Sequence, residues 1–84
     1  MVKTTLKIDG MMCSMCESHI NDTIRRSFKV KRVSSSHKKG TTEIISESPP
    51  EENALREAIG KTGYRVSEYN TEPYKEKRFS LFGR

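Results

Sequence analysis

The chain changes its conformational habit a few residues from its start, and both of its cysteines lie on that change. Leu6 and Ile8 alternate with Lys7, the period of a strand with one buried face and one wet face. Asp9-Gly10 interrupts the alternation as a turn does. From Cys16 the apolar residues recur at helical intervals, through Ile20 and Ile24 to Phe28. Ser14 stands where a helix cap is expected, with Glu17 three residues on in capping-box spacing. Arg25 and Arg26 suit the negative end of the helix dipole. A strand therefore runs through Gly10-Met11-Met12-Cys13-Ser14-Met15-Cys16 into a helix. Such a junction sets two thiols at the end of a sheet, where the helix start favours thiolate over thiol. The chemistry is narrowed to thiol redox work or to a soft metal ion.

The residues beyond this helix constrain the rest of the fold. Lys29–Ser35 reads as a second strand, His37-Lys38-Lys39-Gly40 as a turn, and Thr41–Ser46 as a third strand. Ser48-Pro49-Pro50-Glu51-Glu52 opens a second helix, with a capping residue, prolines in the first turn and acids near the positive end. Leu55, Ala58 and Ile59 give it an apolar face and Gly63 a stop. Tyr64–Tyr69 reads as a last strand. The order strand, helix, strand, strand, helix, strand predicts an α+β chain. It is the ferredoxin-like βαββαβ arrangement, an antiparallel sheet with both helices on one face. The 84 residues suffice for one small domain, expected over residues 1–72, with 73–84 as a basic, mobile tail without clear period.

No apolar run approaches the ~20 residues of a bilayer span, and the first residues lack the pattern of a signal peptide. The expectation is a cytoplasmic protein with no membrane insertion, in which two cysteines stay reduced. The net charge is +5, with the excess localised. Arg25, Arg26, Lys29, Lys31, Arg32, Lys38 and Lys39 follow one another without an acid, and the tail adds Lys75, Lys77, Arg78 and Arg84 against Glu76. Such a run can steer the chain to an acidic protein, a nucleic acid or an anionic membrane, or simply solvate a face. Nucleic acid is not expected, because Phe28 is the one aromatic in the run from Arg25 to Lys39 and stacking platforms there are thin. Gly60-Lys61-Thr62 is similar to the end of a phosphate-binding loop, but Leu55 stands where that loop needs glycine.

Taken together, these residues resemble the heavy-metal-associated domain family, the fold of small copper chaperones and of the metal-binding modules of P-type ATPases. Gly10-Met11-Met12-Cys13-Ser14-Met15-Cys16 resembles the family's G-M-x-C-x-x-C loop. Ile20 and Ile24, Val30 and Val33, Ala58-Ile59 and Gly63-Tyr64 resemble its later positions, so the likeness covers residues 3 to 69. Two departures stand out: Met12 replaces the threonine or serine most frequent in the family's copper members, and Ser35 falls where the second strand is usually apolar. The resemblance implies metal ligation by Cys13 and Cys16, with Met11 packed under the loop and Tyr64 shielding the site. It also implies transfer, without catalysis, to a metal-transporting P-type ATPase or another C-x-x-C protein. A monomer is expected without metal, and a dimer bridged by metal is conceivable.

Soft thiolates select Cu(I), with Zn(II), Cd(II) and Hg(II) as competitors. Cu(I) accepts two thiolates, whereas Zn(II) normally takes four ligands. By resemblance, members selective for divalent ions often carry an acid before the first cysteine, where this chain has Met12. Cu(I) is therefore the expected cargo of a metallochaperone or metal buffer. The competing expectation is a thiol–disulfide oxidoreductase using the same C-x-x-C. It is disfavoured because the chain has no Trp and no Pro between its cysteines. Met12 and Met15 are expected as exposed partner contacts, His19 as a solvated helix residue and His37 as a surface residue.

Overall fold

A central strand, β1 (Val2–Asp9), pairs on one side with β3 (Thr41–Ser46) and on the other with β4 (Arg65–Pro73). The computed structural model describes residues 1–74. The order β2-β3-β1-β4 is completed by β2 (Arg32–Ser36) at one edge, and every pairing is antiparallel. Helices α1 (Ser14–Ser27) and α2 (Glu52–Gly60) pack on β2 and β4 respectively and against each other. This is the expected ferredoxin-like βαββαβ sandwich.

The core forms where the strands' alternation meets the helices' apolar faces. Leu6, Ile8, Val33, Ile44 and Val66 face Ile20, Ile24, Leu55 and Ile59, all buried. Each such side chain contributes about 1.5–3 kcal/mol by leaving water. Polar groups enter the same layer. Thr4 and Thr42 are fully buried, and Ser35 lies beneath α1. The Ser35 hydroxyl donates to Asn21 Oδ1 at 2.6 Å and shares a 2.8 Å hydrogen bond with the Thr42 hydroxyl. The departure at Ser35 is thus absorbed by a polar seam between helix and sheet.

Three boundaries differ from the sequence expectation. β2 begins at Arg32, not Lys29. Val30 and Val33 are three residues apart, so a strand of period two cannot turn both inward; Val30 instead packs partly buried from the connection. The second helix starts at Glu52, capped by Glu51, whose carboxylate accepts the Ala54 N–H at 2.8 Å. Ser48 is not the cap: Pro49 and Pro50 keep the residues before them out of the helical region, and the Ser48 carbonyl accepts from the Ser46 hydroxyl. β4 runs on to Pro73, and the Tyr74 N–H bonds to the Met1 carbonyl at 2.9 Å. Its register shifts between Lys7 and Ile8, adding Ser67. That bulge lets Val66 and Tyr69, also three apart, both oppose inward-facing residues of β1. Of the tail expected over 73–84, residues 75–84 lie outside the described residues.

Candidate metal centre

Three connections meet at the end of the sheet where β1 stops: the loop from Gly10 to Cys13, the turn His37–Gly40, and Gly63-Tyr64. Gly10 takes φ +98°, open to glycine but strained for other residues. A Cβ there would also lie 3.2 Å from the Tyr64 ring. The chain reverses under Tyr64, and Met11 is driven into the core at 5% exposure.

Cys13 is the N-cap of α1, extended at φ −156° and ψ 176°. Its carbonyl accepts the Glu17 N–H at 3.2 Å, closing the first turn across the two cysteines. Cys13 is exposed and Cys16 half-buried, both are free thiols, and their sulfurs stand 3.8 Å apart. Ser14 begins the helix rather than capping it, and no side chain caps this end.

The environment of Cys16 favours thiolate. Its pKa falls from the ordinary 9.0 to about 7. The largest cause is hydrogen bonding from the Tyr64 hydroxyl, followed by the Met12 and Cys13 N–H groups, with desolvation opposing. The same contact raises the Tyr64 pKa, helped by desolvation and the nearby thiols. Tyr64 also meets His19 edge-to-face at 6.1 Å between ring centroids. A tyrosine that covers the site thus also stabilises its more buried sulfur.

Two features depart from the sequence expectation. Glu17 does not complete a capping box. Its Oε2 accepts both the His37 N–H at 2.7 Å and His37 Nδ1 at 2.6 Å. These bonds hold the Glu17 carboxyl below its usual range, the backbone N–H first and the ring second. His37 is therefore a half-buried anchor and not simply a surface residue. The same turn grips the loop's other side, since the Gly40 carbonyl accepts the Ile8 N–H at 2.8 Å. The β2–β3 turn thus brackets the thiol loop at both ends.

Met12 and Met15, 79% and 80% exposed, flank Cys13 and Cys16 and leave apolar surface around the sulfurs. His19 is exposed on α1, and among the described residues no group of three or more His, Cys, Asp or Glu is placed to hold an ion. The arrangement offers two sulfurs, one activated and one accessible.

Comparison with known proteins accords with this geometry. The heavy-metal-associated domain profile matches residues 5–65. Mercuric reductase of Shigella flexneri is 33% identical over 64 residues, which are 76% of this chain but only 11% of the reductase. Among solved structures, the N-terminal domain of a potential copper-translocating P-type ATPase from Bacillus subtilis, in its Cu(I)-loaded state, superposes with a TM-score of 0.71. The identity is 21%, covering 93% of this chain and all of that one, at 100%. Oxidised MerP from Ralstonia metallidurans CH34 gives a TM-score of 0.67 at 22% identity, over 80% of this chain and 96% of that one.

Proposed function

The chain belongs to the heavy-metal-associated domain family, and we propose that it carries Cu(I) as cargo on Cys13 and Cys16 and passes it to a partner's thiols. The observation that carries this reading is the donor set. Two sulfurs lie 3.8 Å apart at an exposed helix start, and among the described residues no third His, Cys, Asp or Glu joins them. Cu(I) accepts that coordination, while Zn(II) would remain incomplete.

Transfer follows from the unequal burial of the sulfurs. A partner thiolate forms a bond to the metal on its open side, and the bond to exposed Cys13 breaks. The bond to Cys16 breaks after a second partner thiolate has bound. The released sulfurs take up protons, and the metal keeps its oxidation state throughout. Only metal–sulfur bonds are exchanged, so the role is that of a carrier and not a catalyst. Partners of this kind are another C-x-x-C protein or the metal-binding domain of a P-type ATPase, which the Bacillus relative exemplifies.

Hg(II) is the second reading, favoured by the identity with mercuric reductase and equally suited to two thiolates. Titration of the reduced protein with Cu(I), Hg(II), Zn(II) and Cd(II) against competing chelators decides between them. The expected result is one tightly held Cu(I) per chain, lost in Cys13→Ser and in Cys16→Ser. Wild-type affinity in either variant would overturn the two-thiolate site. Reduction of insulin disulfides faster than by a small free thiol would overturn the carrier role in favour of an oxidoreductase.

A further inference from the structure

The two helices leave a hollow where they meet. His19, Thr23, Arg26 and Ser27 of α1 line one wall. Ala58 of α2 lines the other, with Lys61 and Thr62 just beyond that helix. Intervals of four, three and one set the α1 residues on one stripe of the helix. Ser27 and Ala58 are short, so space of about 280 Å³ remains between the longer side chains. One end of the hollow adjoins the metal centre, since the His19 ring meets Tyr64 edge-to-face.

Arg26, Lys61 and His19 supply nitrogen donors to the hollow, and no carboxylate lines it. Arg26 and Lys61 are exposed, and neither enters an ion pair among the described residues. Most acids of the two helices are engaged elsewhere: Glu17 holds His37, Asp22 pairs with Arg25 at 3.4 Å, and Glu52 with Arg56 at 3.0 Å. Glu57 is the exception, exposed one turn before Lys61 but outside the lining. Each cation also stands at the C-terminal end of its helix, where it offsets the dipole. That role asks for no concavity between them. The hydroxyls sort by where their hydrogens go. Thr23 donates to the His19 carbonyl at 2.8 Å and Thr62 to the Ile59 carbonyl at 2.6 Å, which leaves Ser27 as the hydroxyl donor. Gly60-Lys61-Thr62, similar in sequence to the end of a phosphate-binding loop, falls here at the end of a helix and not at its start. The Lys61 and Thr62 N–H groups are spent on the Glu57 and Ile59 carbonyls, so side chains must hold any ligand.

We propose that this hollow binds phosphate, as the free ion or as the head of a small monoester, with Arg26 and Lys61 on opposite walls and His19 and Ser27 as further donors. A guanidinium fork and an ammonium are donors that phosphate oxygens take. A tetrahedral anion can meet donors from two walls at once, which a planar carboxylate does less well. The space lies just under the roughly 300–1,000 Å³ of clefts that take drug-sized ligands, so a phosphate fits with room for a short ester chain. A nucleotide base would need a stacking face. His19 is the one aromatic ring in the lining and is already set against Tyr64. An acidic protein could meet these cations across an open face, without using the space between the helices.

The test is titration of the reduced, metal-free full chain with inorganic phosphate, at ionic strength held constant with chloride, followed by amide NMR. The amide signals of Thr23, Ser27, Lys61 and Thr62 should shift together and saturate. Arg26→Gln and Lys61→Gln, both at exposed positions, should each weaken binding by about tenfold or more, the worth of a charge-assisted hydrogen bond. Glu57→Gln should tighten it. Ala58→Leu keeps both cations but fills the hollow, and should abolish saturation. Unchanged phosphate binding in that variant would show that the cations act from an open face, and would overturn the proposal. Shifts that never saturate, shifts that chloride alone reproduces, or full affinity in both charge variants would overturn it as well. Glycerol phosphate in a parallel titration separates the two sources. Saturation by it at the same residues assigns the monoester, saturation by inorganic phosphate alone assigns the free ion, and either supports the site. No metal is bound in these titrations, so their outcome is independent of the Cu(I) reading.

Discussion

Replacing Tyr64 by phenylalanine should raise the pKa of Cys16 while leaving the fold in place. The Tyr64 hydroxyl is the largest of the influences that bring this thiol from 9.0 to about 7. The ring remains to cover Gly10 and meet His19, so the substitution removes a donor and little packing. The Met12 and Cys13 N–H groups persist, so the new value should fall between about 7 and 9.0. At pH 7 a thiol of pKa about 7 is half ionised, and one at 9.0 is roughly one per cent ionised. The thiolate fraction therefore drops by at most about fiftyfold. The sign for stability is fixed as well, because a depressed acid stabilises the folded state above its unfolded pKa. That contribution is complete above 9.0, shrinks below it and is lost as pH falls through about 7. The assay is the pH profile of Cys16 alkylation by iodoacetamide, in a Cys13→Ser background with and without Tyr64→Phe. The parent midpoint should lie near 7 and the variant's above it. Identical midpoints, or a parent midpoint near 9, would refute the assignment of Tyr64 as the activating donor.

Other consequences concern the frame. Glu17→Ala removes the acceptor for both His37 bonds and should speed metal release to a chelator, with Glu17→Gln restoring part of the wild-type rate through the His37 N–H. Because the Glu17 carboxyl is held below its usual range, its contribution to stability is present at neutral pH and lost as pH falls through that lowered value. The difference in urea midpoint between wild type and Glu17→Gln should therefore narrow in acid. Ile24→Ala, at a fully buried position, should cost about 2–5 kcal/mol in denaturant unfolding. A loss under about 1 kcal/mol there would mean that the core packs otherwise.

The order of elements was legible because each carries its own period and punctuation, and the thiol loop because glycine, methionine and cysteine there have few other uses. What remained hidden is polar and depends on two elements at once. Glu17 and Asn21 are four apart on α1, and His37 and Ser35 are two apart along β2 and its turn. Four helical residues advance about 6 Å and two strand residues about 6.6 Å. Polar side chains on antiparallel elements can therefore pair in sequence, Glu17 with His37 and Asn21 with Ser35, as they do here. Neither pair shows in the apolar pattern of its own element, and Glu17 had a local explanation as a capping residue that concealed its distant partner. The boundaries at Val30 and Tyr69 were obscured for a related reason. An odd spacing of apolar residues must be resolved by ending a strand or by a bulge, and the local residues do not say which.

The thiols stand at one end of the sheet and the basic residues Lys29, Lys31 and Arg32 toward the other, where Arg32 opposes Ile45. The thiols and this basic end are roughly 25 Å apart along β1, about three Debye lengths at physiological ionic strength, where that length is about 8 Å. A charge change at one end is therefore screened before it reaches the other. β1 and α1 both run from one end to the other, β1 paired on both sides by ladder hydrogen bonds and α1 packed on β2 and against α2. Coupling between two sites is reciprocal, so if charge at the basic end leaves metal affinity unchanged, loading the thiols must leave that end unchanged. Reversing Lys29, Lys31 and Arg32 to glutamate should then leave the Cu(I) affinity of the reduced protein unchanged in a chelator competition. A difference beyond about threefold between the variant and wild type would show that the ends communicate. The distance and screening between the ends would then no longer account for the molecule, and α1, with the thiols at its start and Arg25 and Arg26 at its end, would be the element to carry the effect.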